Sequence, residues 1–250
     1  MNENKYIEAM NGVELSPEAK CRILIKAVKT KQNKENYIMI LKKKAILIVA
    51  AVAMILGITA FAASGIISTW YMSSSSKPDY KTLPTIEQAV KDVGYAPILI
   101  EGFDNGYSFD GGYIINNNLS DDNNKSVEKF KSFSFQYKKG SDTVMLYQGK
   151  YNSEMPESGD LVSSENGVDI YFTGYTNKIV PPDYKFTEED KKAEENGELV
   201  FSYGSDKVII SEVNSVSWSA GDMHFNLIQI DGKLSTDVLV QMANYIVSQN

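Results

Sequence analysis

Cysteine and histidine are almost missing from this chain: its 250 residues hold one of each, Cys21 and His224. A single cysteine builds no disulfide framework, so the folded part must stand on apolar packing alone. A single histidine leaves any Ser-His-Asp or Cys-His arrangement nowhere to form except around His224. Zinc of the usual His/Cys kind lacks ligands. His224 lies between Met223 and Phe225 on an alternating segment, where a lone imidazole opposite a core phenylalanine reads as a surface residue.

Other signatures of chemistry are missing too. No nucleophile elbow stands in the sequence. Asp121-Asp122-Asn123-Asn124 fits no EF-hand spacing and reads as a polar loop. Gly102, Gly106, Gly111 and Gly112 open no helix, so they read as turn and bulge residues rather than a phosphate cradle. Glu157, Asp160, Glu165 and Asp169 are scattered and make no recognisable catalytic pair. The expectation is a protein that is not an enzyme and uses no cofactor or metal.

Basic residues are scarce beyond position 44. Residues 1–44 carry ten Lys/Arg against five Asp/Glu, a net of +5, whereas the remainder carries 15 against 27, a net of −12, which together give the overall −7. An acidic surface repels phosphates, which argues against a nucleic-acid partner.

What is present is one long uncharged run. Ala45 to Ile67 holds 23 consecutive residues without a charge. As a helix rising about 1.5 Å per residue it measures roughly 34 Å, enough to cross a hydrocarbon core of about 30 Å. Gly57 and Gly65 are tolerable there, because a helix in lipid satisfies its own backbone. Lys42, Lys43 and Lys44 precede the run, while Trp70 and Tyr71 follow it at headgroup level. That flanking predicts a single-pass membrane protein with residues 1–44 cytoplasmic and residues 68–250 outside. The alternative is a cleaved signal, since Ala60-Phe61-Ala62 has the small-x-small form of a cleavage site; its n-region would then be 44 residues long, far beyond the usual basic stub.

The predicted organisation is therefore a basic arm over 1–44, a transmembrane helix over 45–67, a Ser-rich linker over 68–83 and an exported α+β domain over 84–250. In the arm, Ser16-Pro17 reads as an N-cap with proline in the first turn. Cys21, Leu24, Ile25 and Val28 then recur at helical spacing on one stripe. Tyr6, Ile7 and Met10 fit one side of a shorter helix before it. Forty-four such residues cannot bury a core of their own, so the two stripes predict a surface for a cytoplasmic partner. The inner membrane surface and a plain solvated arm are the competing readings.

In the exported part, Thr85-Ile86-Glu87-Gln88 has capping-box form, with Ile86, Ala89, Val90 and Val93 as a stripe and Gly94 as the stop. Pro97 to Glu101 reads as a short apolar strand. Period-two alternation then marks Phe133, Phe135 and Tyr137; the Lys139-Gly140-Ser141 turn leads into Thr143 to Gln148, and Val168, Ile170 and Phe172 repeat the alternation. Leu199, Phe201 and Tyr203 also alternate, and Gly204-Ser205-Asp206 predicts a hairpin from them into Lys207 to Val213. Val216 and Trp218 turn through Ala220-Gly221-Asp222 into Met223, Phe225 and Leu227. Glu188 to Asn196 reads as a solvated helical excursion. Ser235 caps a last helix, with Leu234 and Leu239 as its staple and Val238, Leu239, Met242, Ala243 and Ile246 as its buried stripe. Thirteen tyrosines follow residue 67; β-propensity explains them more simply than glycan stacking. The plan is a curved antiparallel sheet packed on N- and C-terminal amphipathic helices.

Three stretches carry a resemblance: Glu87 to Tyr107, Tyr137 to Leu146 and, above all, Val213 to Ile246 with its Trp strand, hairpin, aromatic strand and capped helix. Over about residues 84–248 the chain resembles domain of unknown function 4367, found in single-pass envelope proteins of Gram-positive bacteria. Tyr6 to Lys29 looks like the arm of a membrane anti-sigma factor, without the His-x-x-x-Cys-x-x-Cys of the zinc-bearing class. The resemblance implies a regulator with a cytoplasmic sigma factor as partner and an outer domain that meets an envelope ligand or protein. By fold analogy, it also implies a likeness to lipoprotein-carrier domains. The alternative is an anchored or secreted envelope binding or carrier module with no regulatory role.

Overall fold

The computed structural model describes residues 69–75, 77–121, 125–150, 159–165, 167–181, 183–196, 198–203 and 205–249. The expected arm and span, with the arm residues Tyr6, Ile7, Met10, Cys21, Leu24, Ile25 and Val28 and the topology lysines Lys42, Lys43 and Lys44, lie outside them.

The described elements run β1 (Thr69–Ser73), α1 (Ile86–Val93), β2 (Ser108–Ser120), β3 (Ser126–Lys139), β4 (Asp142–Lys150), β5 (Asp160–Glu165), β6 (Val168–Val180), α2 (Glu188–Glu195), β7 (Leu199–Tyr203), β8 (Ile209–Ala220), β9 (Met223–Ile230) and α3 (Thr236–Val247). The strands form one curled sheet in the order β1-β2-β3-β4-β9-β8-β6-β5, with β7 paired to β6. All pairings are antiparallel except β6 with β7. Read outward from the central β4–β9 pair, the halves mirror each other: β4-β3-β2-β1 on one side, β9-β8-β6-β5 on the other.

Alternation decides which face is buried. Phe133, Phe135 and Tyr137 on β3 stand in register with Gln148, Leu146 and Val144 on β4, and these with Phe225, Leu227 and Gln229 on β9. Val216 and Trp218 on β8 and Ile170 on β6 complete an apolar face closed to solvent. The α3 helix supplies Leu239, Met242, Ala243 and Ile246 to this core, as its spacing predicts. Trp218 stacks on Phe225 with ring centroids 5.2 Å apart.

Several expectations need correction. The segment read as a Ser-rich linker enters the sheet: Thr69–Ser73 pairs with Ser120–Asn116 of β2. Tyr80 then exchanges two backbone hydrogen bonds with Gly112, at 3.0 and 2.8 Å. Gly112 is needed there, since a Cβ would come 3.0 Å from the Phe135 ring and 3.1 Å from that of Tyr80. Serine-rich composition suggested a tether, but the residues that add to the open edge of β2 are Thr69, Trp70, Tyr71 and Met72, ahead of the serine run, with Ser73 alone of the serines.

Pro97 to Glu101 is not a strand. The Gln148 side chain replaces a ladder partner: Ile98 N–H donates to Oε1 at 2.8 Å, and Nε2 donates to the Ile98 carbonyl at 2.8 Å. Nor do β7 and β8 form a hairpin, for β7 returns alongside β6 in parallel. In α1 only Ala89 is buried, while Ile86 and Val90 are exposed. Its cap is half of the expected box, with Thr85 accepting from the Gln88 N–H at 3.2 Å. The full capping box belongs to α2, where Thr187 and Asp190 bond reciprocally.

Candidate functional site

Two regions bear on function. The first is the sheet edge formed by β1. Thr69 pairs with Ser120, Trp70 with Leu119 and Tyr71 with Asn118, so the two aromatics expected at headgroup level belong to a hydrogen-bonded edge strand. Only Ser68 separates that strand from Ile67, the last residue of the apolar run. Asp79 fastens the same segment further on by accepting from the Ile114 N–H at 2.8 Å. The Tyr80 hydroxyl donates to Asp92 of α1 at 2.7 Å. Its phenol is pushed above the tyrosine range by burial, then by the hydrogen bond to Asp92 and that carboxylate's charge.

The second is the β8–β9 hairpin around His224. Ser219 and His224 are cross-strand partners, and Ser219 Oγ lies 2.8 Å from His224 Nδ1. As the alternation predicts, His224 occupies the face opposite Phe225. The nearest carboxylate along the hairpin, Asp222, forms a salt bridge with Lys150. The hydrogen bond from Lys150 holds Asp222 below the usual carboxylate range, more than offsetting desolvation. Ser219 sits in an ordinary antiparallel ladder, one register step from the turn, not on a strand-to-helix elbow that would present a nucleophile. Among the described residues, no three His, Cys, Asp or Glu side chains gather as a metal site.

Compared with protein-family models, with curated proteins and with solved structures, the chain finds no match. The functional reading therefore rests on its own residues.

Sequence reasoning missed one cluster. The excursion between β6 and β7 is tied down by Asp190, 5% exposed on α2. Its carboxylate accepts from Lys178 Nζ at 2.6 Å, the Tyr184 hydroxyl at 2.7 Å and the Thr187 N–H at 3.0 Å. Burial alone would raise this acid; the Lys178, Thr187 and Tyr184 bonds outweigh it and hold the carboxyl well below its usual range. Lys178 also lies 5.0 Å from the Tyr184 ring centroid. Phe186 and Phe201 pack edge to face beneath, 4.6 Å between centroids. Every polar atom named here has an internal partner, so the cluster staples the fold. The Thr-x-x-Asp spacing of Thr187 and Asp190 was the available signal, masked by the surrounding charge run.

Among the described residues no helix is long and apolar enough to cross a membrane. The candidate span, 45–67, lies outside them.

Proposed function

We propose that this chain is a single-pass membrane regulator of the anti-sigma type. Residues 45–67 cross the bilayer, residues 1–44 hold a cytoplasmic sigma factor, and the α+β domain stands outside to meet an envelope ligand or protein. One observation carries the reading: a net-cationic arm with two apolar stripes and too little core of its own joins a folded, cysteine-free acidic domain through 23 uncharged residues. The strand Thr69–Ser73 lies within two positions of Ile67, so the sheet is joined closely to the apolar run.

Two measurements test this. Protease protection in intact cells, with a tag at each end, should shield the N-terminal tag and expose the C-terminal one; exposure of both tags refutes the span. Capture on residues 1–44 should recover a sigma factor, and the Leu24→Asp, Ile25→Asp double variant should release it. Recovery of none under either condition overturns the anti-sigma assignment.

A further inference from the structure

We propose that the β1–β2–β3 ladder is a stalk whose far end rests in the lipid headgroup layer, so that the outer domain is held at one orientation rather than swinging on a tether. The inference rests on the span proposed above and adds what the span touches outside.

The register carries it. The chain that precedes the described residues ends at Ser68, and its last apolar residue is Ile67, two positions before Thr69. Two residues reach at most about 7 Å. Thr69 pairs with Ser120 at the distal end of β2, and Ser120 pairs with Ser126 at the start of β3. Neighbouring strands lie about 4.8 Å apart, so the end formed by Ser120, Ser126 and Val127 stands roughly 10 Å sideways from the point where the span emerges. The headgroup zone on each side of a bilayer is about 5–8 Å deep, so this end and that zone overlap.

The described strands of the β4–β9 body lie further along it. Among the described residues, Ser126 through Lys131 of β3 pair only with β2; β4 joins at Ser132, opposite Gly149. Six residues of extended chain place the β4–β9 body roughly 20 Å further along the ladder. The β3–β4 turn at Gly140 and Ser141 is the opposite end of the same strand. Side chains at the stalk end suit an interface between water and lipid. Val127 is 45% exposed, a large apolar side chain facing out beside exposed Lys125 and Lys129. The Asp121 carboxylate is engaged across the turn, accepting from the Lys125 N–H at 2.8 Å. Lysine stems lie on apolar surface while their ammonium groups reach phosphates; Lys125 and Lys129, with Glu128 the one acid between them, make this end a local basic contact for phosphate-bearing lipid headgroups on an otherwise acidic domain.

The stalk is stiff for reasons already described. Beyond β1 the strap stays fastened to β2 through Asp79 and the Tyr80–Gly112 pair, so the first dozen described positions follow β2 along most of its length. A freely jointed linker of that length would let the domain take any attitude.

The test uses the full chain with Cys21→Ser and one new cysteine, either Val127→Cys or Ser141→Cys, labelled with an environment-sensitive fluorophore. The protein is reconstituted into phosphatidylglycerol and phosphatidylcholine vesicles containing headgroup spin-labelled lipid. The probe at 127 should lose most of its fluorescence and the probe at 141 should keep it. A flexible Gly/Ser insertion of about ten residues between Ser68 and Thr69, spanning roughly 18 Å, should abolish the difference while the domain stays folded by circular dichroism. Equal quenching at 127 and 141, or none at either, overturns the stalk. Resistance to carbonate extraction separates the two claims. A protein that washes off the vesicles refutes the span itself, whereas one that stays bound but shows no difference refutes only the stalk.

Discussion

A primary amide carries a donor and an acceptor at fixed spacing, so one buried glutamine satisfies both the N–H and the C=O of a passing main chain. Gln148 does this for Ile98, and Gln229 does it for Leu234, with Nε2 donating to the Leu234 carbonyl at 2.6 Å and the Leu234 N–H reaching Oε1 at 3.0 Å. The two residues occupy mirrored places, each two positions beyond the paired Leu146 and Leu227 at the centre of the sheet. Each fixes the segment that flanks a helix, after α1 in one case and before α3 in the other. Removing either amide strands two backbone groups and opens a void. Gln148→Ala should therefore cost roughly 2–4 kcal/mol, and Gln229→Ala a similar amount, read as a lower urea midpoint with the slope unchanged. A loss under about 0.5 kcal/mol, the level of an ordinary surface change, would show that the clamps are dispensable.

At the scale of elements, α2 is held by charge rather than by a deep apolar stripe, its one buried residue being Asp190. Taking away one partner of a buried pair leaves the other uncompensated. Asp190→Asn should destabilise the domain by about 2–3 kcal/mol, below the full buried-pair range because the Lys178 side chain keeps 16% exposure. The sign of the pH dependence follows from the depressed carboxyl. Its contribution is complete above the unfolded carboxylate value near 4 and is lost as the pH falls from there toward the lower folded value. Thermal melts between pH 6 and 2.5 should show a fall in wild type that is shallower in Asp190→Asn; parallel curves would remove Asp190 from the account. Glu188 to Asn196 was legible as a helix from its charge and spacing. Its anchoring was not, because Lys178 lies twelve positions earlier on another element.

Across the whole molecule, tyrosines join the sheet to what covers it. Tyr107 donates to Asp142 at 2.6 Å and Tyr95 to the Gln148 carbonyl at 2.9 Å, each binding a loop to β4. Burial first of all pushes the phenols of Tyr80, Tyr95, Tyr107, Tyr137 and Tyr147 above their ordinary value. A raised phenol stabilises the fold below its unfolded value near 10 and ceases to do so as the pH rises through the folded value. Alkaline titration followed at 295 nm should thus show a fraction of tyrosines ionising near pH 10. The rest should ionise only in step with loss of the circular dichroism signal. Smooth titration of all of them with the fold intact would contradict this packing.

The sequence by itself determined what is periodic or compositional: the inward faces of β3 and β9, Val216 and Trp218 of β8, the N-cap of α3 and its stripe from Leu239 to Ile246, the stop at Gly94, the position of His224 opposite Phe225, and the long apolar run. These follow from spacings of two or 3.6 residues and from charge, which need no distant partner. Tertiary structure alone decided that Thr69–Ser73 is a strand and not a tether, that β7 lies parallel to β6, that Ile98 is held by a side chain instead of a ladder, and that Asp190 is buried. The first three are pairings between residues far apart along the chain, which leave no period in the sequence to read, and at Asp190 the ion pair from Lys178 on β6 is added to the local Thr187 and Tyr184 bonds.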